Sequence, residues 1–251
     1  MLGLIPFSDN DQSDDRELAF KFYNDPKSPL AEAIRTTMFS IELSSSETPP
    51  RTIMLTSVLP NVGKSTLSCN FCLSLLTSKA KVLLIDTDLR KPTLHEIFAI
   101  KDNTRGLSSF LAGTLTLQEV LRKTQFENLF FIPSGPIPPN PAELLASSRM
   151  RNFIATAAKN FDYIIIDTPP FHGFAEILIL SNMVDGVILV GELNNTPREG
   201  VEYFRKAVTN VGGRILGVLV NKAGKGGKGY RYYGSYKYQN YYTYGYGPQE
   251  K

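Results

Sequence analysis

The sequence predicts an α/β protein whose mostly parallel sheet carries helices on both faces. Two observations predict it. Apolar runs such as VLLID at 82–86 and YIIID at 163–167 are continuous rather than alternating, as in strands covered on both sides. Those runs also alternate with helical patterns along the chain. The 251 residues suit one such domain or two small ones. With 42% hydrophobic and 20% charged residues, intrinsic disorder of the whole chain is excluded. A net charge of +3 is too small to argue for nucleic acid as a partner. Cys69 and Cys72 share one apolar segment, which excludes a disulfide scaffold and a four-cysteine zinc site and makes them core residues. No apolar run approaches the roughly 20 residues of a membrane helix. The first residues, MLGLIPFSDNDQSDD, lack the pattern of a signal peptide.

Taken in order, residues 1–26 are polar, acidic and aperiodic, and read as a linker. Ser28 and Pro29 open a helix as cap and first residue, with Leu30, Ile34, Thr37, Met38 and Ile41 on one face. SSSETPP at 44–50 ends it. A strand at Thr52–Ser57 leads through a glycine-containing loop into a helix from Lys64 to about Leu76. Strands follow at Lys81–Asp86 and at 129–135, then a helix over Pro141–Lys159 and a strand over Phe161–Asp167. Gly186–Gly191 is a strand, Pro197–Asn210 a helix, and Ile215–Asn221 the last strand. The main domain is thus 27–222. Residues 223–251 begin with a glycine-rich linker and then lack aliphatic residues, so they read as a disordered tail.

Pro60, Asn61, Val62, Gly63, Lys64, Ser65 and Thr66 lie between a strand and a helix, the setting a phosphate-binding loop requires. Inward N–H groups and the helix start cradle phosphate oxygens there. Lys64 reaches the β- and γ-phosphates, and the Ser65 hydroxyl ligates Mg²⁺. Val58 stands where such loops usually have their first glycine, and Asn61 sits at the bend, where asparagine tolerates left-handed geometry. Asp86 and Asp88 fall at one strand's carboxyl end, two residues apart and so on one face, and Asp167 falls at another. Ligands of open α/β sheets bind outside those ends. Three acids beside a Lys-Ser loop describe a magnesium–nucleotide site.

With LLIDTDLRKPTLHEIF at 83–98, YIIIDTPP at 163–170, GPIPPNPAELLAS at 135–147 and the tyrosine-rich tail, the chain resembles the bacterial tyrosine kinases of capsule and exopolysaccharide systems, the Wzc/CapB type. The similarity covers roughly residues 27–246. It implies a P-loop NTPase-like fold and an ATP- and Mg²⁺-dependent protein-tyrosine autokinase. By the resemblance Lys64 and Ser65 contact phosphate and metal, Asp88 and Asp167 help hold the metal, and Asp86 is the best candidate to accept the tyrosine proton. The choice of base among the acids stays open at this level. Arg90 and Lys91 are candidates to offset phosphate charge, and Asn221 stands where related ATPases contact adenine. Glu32 and Arg35 resemble the start of a subunit-contact motif whose third arginine is replaced by Met38. Glu176 stands near a position where the family carries aspartate.

Tyr230, Tyr232, Tyr233, Tyr236, Tyr238, Tyr241, Tyr242, Tyr244 and Tyr246 are the expected phosphoacceptors, modified in trans within a ring-like homo-oligomer. Other implied partners are protein tyrosine substrates, a phosphotyrosine phosphatase, and a transmembrane polysaccharide co-polymerase or activator domain, fused or separate. The expected location is the inner face of the cell membrane. A MinD/ParA-like ATPase switch is the alternative, but its signature lysine is replaced by Leu59, and it gives no reason for the tyrosines. A weakly active ATP-binding scaffold is the third reading.

Overall fold

A computed structural model describes residues 1–7, 14–43, 48–171 and 174–224. The nine tail tyrosines and His172 lie outside the described residues. Eight strands form one sheet: β1 (Gly3–Pro6), β2 (Thr52–Ser57), β3 (Val82–Asp86), β4 (Arg122–Lys123), β5 (Leu129–Ile132), β6 (Tyr163–Asp167), β7 (Gly186–Glu192) and β8 (Ile215–Ala223). Their order is β1-β8-β7-β2-β6-β3-β5-β4, with every pairing parallel except the antiparallel β4–β5 edge.

Side chains alternate across a strand, so a run buried on both faces divides between two cores. In β3, Val82 and Leu84 enter one core and Leu83 and Ile85 the other. Ile165 of β6 faces the first core, while Ile164 and Ile166 face the second. The first core is covered by the helices Pro29–Glu42 and Lys64–Leu75, and the second by Ser148–Asn160, Ala175–Ser181 and Arg198–Asn210. Ser28 caps the first of these, accepting from the Ala31 N–H at 3.2 Å, with Pro29 at its first turn. Cys69 and Cys72 are fully buried in the Lys64–Leu75 helix, and burial pushes both thiols well above their ordinary range. No helix among the described residues is long and apolar enough to cross a membrane.

The segment expected as a linker is structured where it is described. Gly3–Pro6 adds an edge strand parallel to β8, and Ile5 is fully buried. Short helices Asp15–Ala19 and Lys21–Asn24 follow. Phe20 packs edge-on against Phe98 and Phe126, with centroids 5.5 and 5.0 Å away. The fully buried Asn70 side chain accepts from the Phe22 N–H at 2.8 Å and donates to the carbonyls of Leu18 (2.9 Å) and Thr66 (2.8 Å). These are tertiary ties, without local periodicity. The helix expected over Pro141–Lys159 is two, Pro141–Ala146 and Ser148–Asn160, because Ser147 turns extended (ψ 152) to cap the second, accepting from the Met150 N–H.

Candidate active site

The site forms where β2, β6 and β3 end side by side. Asp86 and Asp167 are register partners, one at each strand's last residue. β2 lies on the other side of β6 and runs into the loop at 58–63. Asn61 takes the left-handed conformation (φ 59), as its residue type permits, and Gly63 does the same (φ 86). A Cβ at Gly63 would stand 2.4 Å from Asn221 Nδ2, so only glycine fits beside that amide. The Asn221 amide donates to the Val62 carbonyl at 2.8 Å, and Lys222 Nζ donates to the Asn61 carbonyl at 2.7 Å. Glu192 holds Lys222 at 2.6 Å. The end of β8 thereby braces the loop. Asn221 is thus placed against the loop itself.

Ser65 Oγ donates to Asp167 Oδ2 at 2.6 Å, and Ser68 Oγ donates to Oδ1 at 2.9 Å. Thr93 Oγ1 donates to Ser65 Oγ at 3.3 Å. Ser68 and Thr93 escaped sequence reasoning, although Ser68 lies one helical turn after Ser65 and so on the same face. Lys64 is buried, and its charge is felt at Asp167. Burial pushes the Asp167 carboxyl above its ordinary range, against the opposing pull of Lys64, Ser65 and Ser68. Asp86 is fully buried and is pushed further up, by burial first and then by the charges of Asp167 and Asp88. Its Oδ1 accepts from the Asp88 N–H at 3.0 Å and the Leu94 N–H also favours the charged form, while Oδ2 has no partner within hydrogen-bonding distance among the described residues.

Asp88 lies beyond the end of β3 instead of sharing a strand face with Asp86. There its Oδ1 accepts from the N–H groups of Arg90 (3.1 Å) and Lys91 (2.9 Å). Its charge still raises both Asp86 and Asp167, which places it in the same field. Arg90 is engaged by Glu176: its Nε and one terminal nitrogen donate to Glu176 Oε1 at 2.9 and 2.6 Å, and it covers the Phe174 ring at 4.1 Å. The buried Glu176 therefore ties the Asp88 loop to the segment that follows β6. Among the described residues no group of three or more His, Cys, Asp or Glu side chains is arranged to hold a metal alone. The oxygens of Ser65, Asp88 and Asp167 are the hard donors that suit Mg²⁺ completed by phosphate and water, which leaves the unpartnered Asp86 oxygen outside the donor set. Glu32 and Arg35 lie outside this site, ion-paired with each other on the exposed face of their helix, while Met38 is buried.

A phosphate loop leaving a central parallel strand, with acids at the ends of its neighbours, defines a nucleotide-binding P-loop protein, and residues 51–218 match the AAA domain family. Comparison with individual proteins narrows that class. The chain is 38% identical over 213 residues to the tyrosine-protein kinase YwqD of Bacillus subtilis, covering 84% of this chain and 89% of the relative. It is 36% identical to a putative tyrosine-protein kinase in the cps region of Klebsiella pneumoniae, covering 85% of this chain but 30% of that longer protein. Among solved structures it superposes on the chimerical protein CapA2B2 with a TM-score of 0.80 at 32% identity, covering 88% of this chain and 93% of that one. The kinase domain of Escherichia coli tyrosine kinase ETK gives 0.81 at 28% identity, over 88% and 89%. The chain belongs to the bacterial tyrosine-protein kinases. MinD of Pyrococcus horikoshii, solved with Mg-ADP, shares the fold at a TM-score of 0.60 and 25% identity, over 69% of this chain and 71% of that one.

Proposed function

We propose that the chain transfers the γ-phosphoryl group of ATP to tyrosines of its own C-terminal segment, from one copy to another, within capsule or exopolysaccharide production. The observation that carries this reading is the pairing of Asp86 and Asp167 at adjacent strand ends beside the Lys64–Ser65 loop. Lys64 and the N–H groups of residues 60–66 hold the β- and γ-phosphates. Ser65, Asp88 and Asp167 hold Mg²⁺, which when bound offsets phosphate charge and orients the transferred group. Asp86 takes the proton of the incoming tyrosine. A hydroxyl with an ordinary pKa near 10 needs such help, and a carboxylate raised by burial is the stronger base. Asn221 lies near the base of the bound nucleoside, on the flank of the loop that it already braces.

The helix bearing Glu32 and Arg35 is the contact between copies. It also exposes Phe39 (57%) and Leu43 (83%), an apolar edge suited to a neighbour. Assembly in a ring, a transmembrane activator domain, an opposing phosphotyrosine phosphatase and a place at the inner face of the cell membrane complete the proposal. The MinD likeness accounts for the fold and not for nine tyrosines in 27 residues after Gly224.

The test is incubation with labelled ATP·Mg²⁺. Wild type labels tyrosine; Lys64→Met, and a chain ending at Gly224 with β8 intact, do not. Phosphate release without labelled tyrosine would establish a switch instead. Label that persists in the shortened chain, on the exposed Tyr23 or Tyr203, would remove the tail as acceptor.

A further inference from the structure

The edge of the sheet opposite β1 carries a cavity. β4 folds antiparallel onto β5, pairing Arg122 with Phe131 and Lys123 with Phe130. Between this hairpin and the loop after the helix Leu94–Ile97 lies a cavity of about 300 Å³. It is lined by Phe98, Ile100, Asp102, Arg105, Arg122 and Lys123, among others. β5 lies three strands from β2 in the sheet order, roughly 14 Å at the usual strand spacing, so this is not the phosphate loop's own crevice.

The walls are firm and the charges unbalanced. Phe98 stacks on the fully buried Phe131 with centroids 4.7 Å apart. Arg122 Nε is buried with no hydrogen-bond partner among the described residues, a donor that a ligand or a water would satisfy. Arg105 meets Glu119 only at 3.8 Å. Asp102, the sole acid in the lining, accepts both the N–H (2.9 Å) and the hydroxyl (2.5 Å) of Thr104 on its Oδ1. Asp102 offsets part of the charge of Arg122 and Arg105, and Glu119 part of that of Arg105, so the three cations still outnumber the acids beside them by one. Aromatic and aliphatic walls beside two guanidinium groups suit an aryl phosphate: the ring packs on Phe98 and Ile100 while arginine takes the phosphate in its fork. The volume is at the small end for ligand sites, enough for one ring and its phosphate.

We propose that this cavity binds phosphotyrosine of the chain's own C-terminal segment. The proposal rests on the reading that those tyrosines are phosphorylated, since a phosphate of about −1.5 to −2 charge is what the cations require. Reach is not limiting. β8 ends five strands from β5, about 24 Å, and the 27 residues after Gly224 extend to at most about 90 Å, so the same copy or another can supply the ligand. Docking would hold the product away from the acids at the nucleotide site and set a limit on further turnover.

The experiment uses a synthetic peptide of residues 229–239, fluorescently labelled, with Tyr233 phosphorylated or not, and the dephosphorylated full chain without ATP. Binding then needs no kinase activity, so failure of the autokinase reading and failure of the cavity are separately visible. The phosphopeptide is expected to bind at least about tenfold tighter than its unphosphorylated twin, given the strength of arginine–phosphate forks. Phenyl phosphate should displace it and ADP·Mg²⁺ should not. Arg122→Gln combined with Arg105→Gln should lose that preference with an unchanged melting curve; where Arg122→Gln impairs folding, the exposed Lys123→Glu should weaken binding in the same direction. After ATP treatment, peptide exclusion that is independent of protein concentration assigns the ligand to the same copy, and exclusion that grows with concentration assigns it to another. Equal binding of the two peptides, undiminished binding in all variants, or displacement by ADP would each overturn the proposal.

Discussion

Replacing Asp86 by asparagine should make the nucleotide-free protein more stable while removing its activity. Asp86 is fully buried, its Oδ2 has no hydrogen-bond partner among the described residues, and its register partner across the sheet is Asp167. Neighbouring strands lie about 4.8 Å apart, and two unit charges at that separation repel by about 3.5 kcal/mol at an effective dielectric of 20. Part of this is relieved by proton uptake, which is why burial and Asp167 raise the pKa of Asp86. Asparagine keeps the Oδ1 acceptor for the Asp88 N–H and removes the charge. A gain of about 1–3 kcal/mol follows, roughly 2–10 °C in Tm for a chain of this size. The sign fixes the pH dependence. A carboxyl whose folded pKa is raised contributes its stability below the ordinary carboxylate range, and that contribution is lost as pH rises through the folded value. The asparagine variant should therefore match wild type near pH 3.5 to 4, where the unfolded carboxyl titrates, and gain on it as pH rises until the folded carboxyl has titrated, after which the gap stays level. Urea denaturation across that range, without nucleotide or divalent metal, reads the difference. Tyrosine phosphorylation should fall by about 10²–10⁴, the usual contribution of a general base. Added Mg²⁺·ADP should narrow the stability gap, because the metal answers the same repulsion. A variant that is less stable than wild type at pH 8, or a gap that does not change with pH, would show that the carboxylate pair is not the strained element described above.

Three further sets of substitutions probe the supports of the site. Arg90→Ala should cost more stability than Glu176→Gln, about 1–3 against about 1 kcal/mol by chemical denaturation, because it strands a buried carboxylate while the glutamine frees only a partly exposed arginine. Asn70→Ala should release the segment Asp15–Asn24, with about 1–3 kcal/mol lost from the two hydrogen bonds that tie it to Phe22 and Leu18, and faster amide exchange confined to that segment and the adjoining helix. Gly200→Ala should weaken ADP binding several-fold by calorimetry, because its Cβ would meet Val58 Cγ1 at 2.7 Å, and Val58→Gly should restore it in the double variant.

Strands and acids were legible in the sequence because their signals are local. Three consecutive isoleucines before Asp167 state both burial on two faces and the end of a strand, and Gly63-Lys64-Ser65 after a strand states what the loop is for. The N-terminal strand was not legible. GLIP is four residues long, and the partner that makes it a strand is β8, more than 200 residues later. The helices between Asp15 and Asn24 are too short to show periodicity and are held by Asn70 and by Phe98 and Phe126, from three separate parts of the chain. The break at Ser147 failed for a different reason. A serine inside an apolar period is compatible with a continuing helix or with a cap, and only the placement of the two helices decides.

The phosphate loop itself shows how a departure from a motif is absorbed by its surroundings. A valine where such loops have glycine demands room for two methyl groups, and the neighbouring helix gives it by carrying Gly200 at the point of contact. The bend that another loop would leave to glycine falls to Asn61, whose left-handed backbone is secured at its carbonyl by Lys222. Lys222 is fixed in turn by Glu192 on β7, so the loop depends on the ends of two strands that take no part in phosphate binding. Scored by motif alone, Val58 and Asn61 weaken the nucleotide-binding reading. In the folded chain the same two residues are matched by Gly200 and Lys222, so each departure from the motif is met by a packing or hydrogen-bond partner beside the loop.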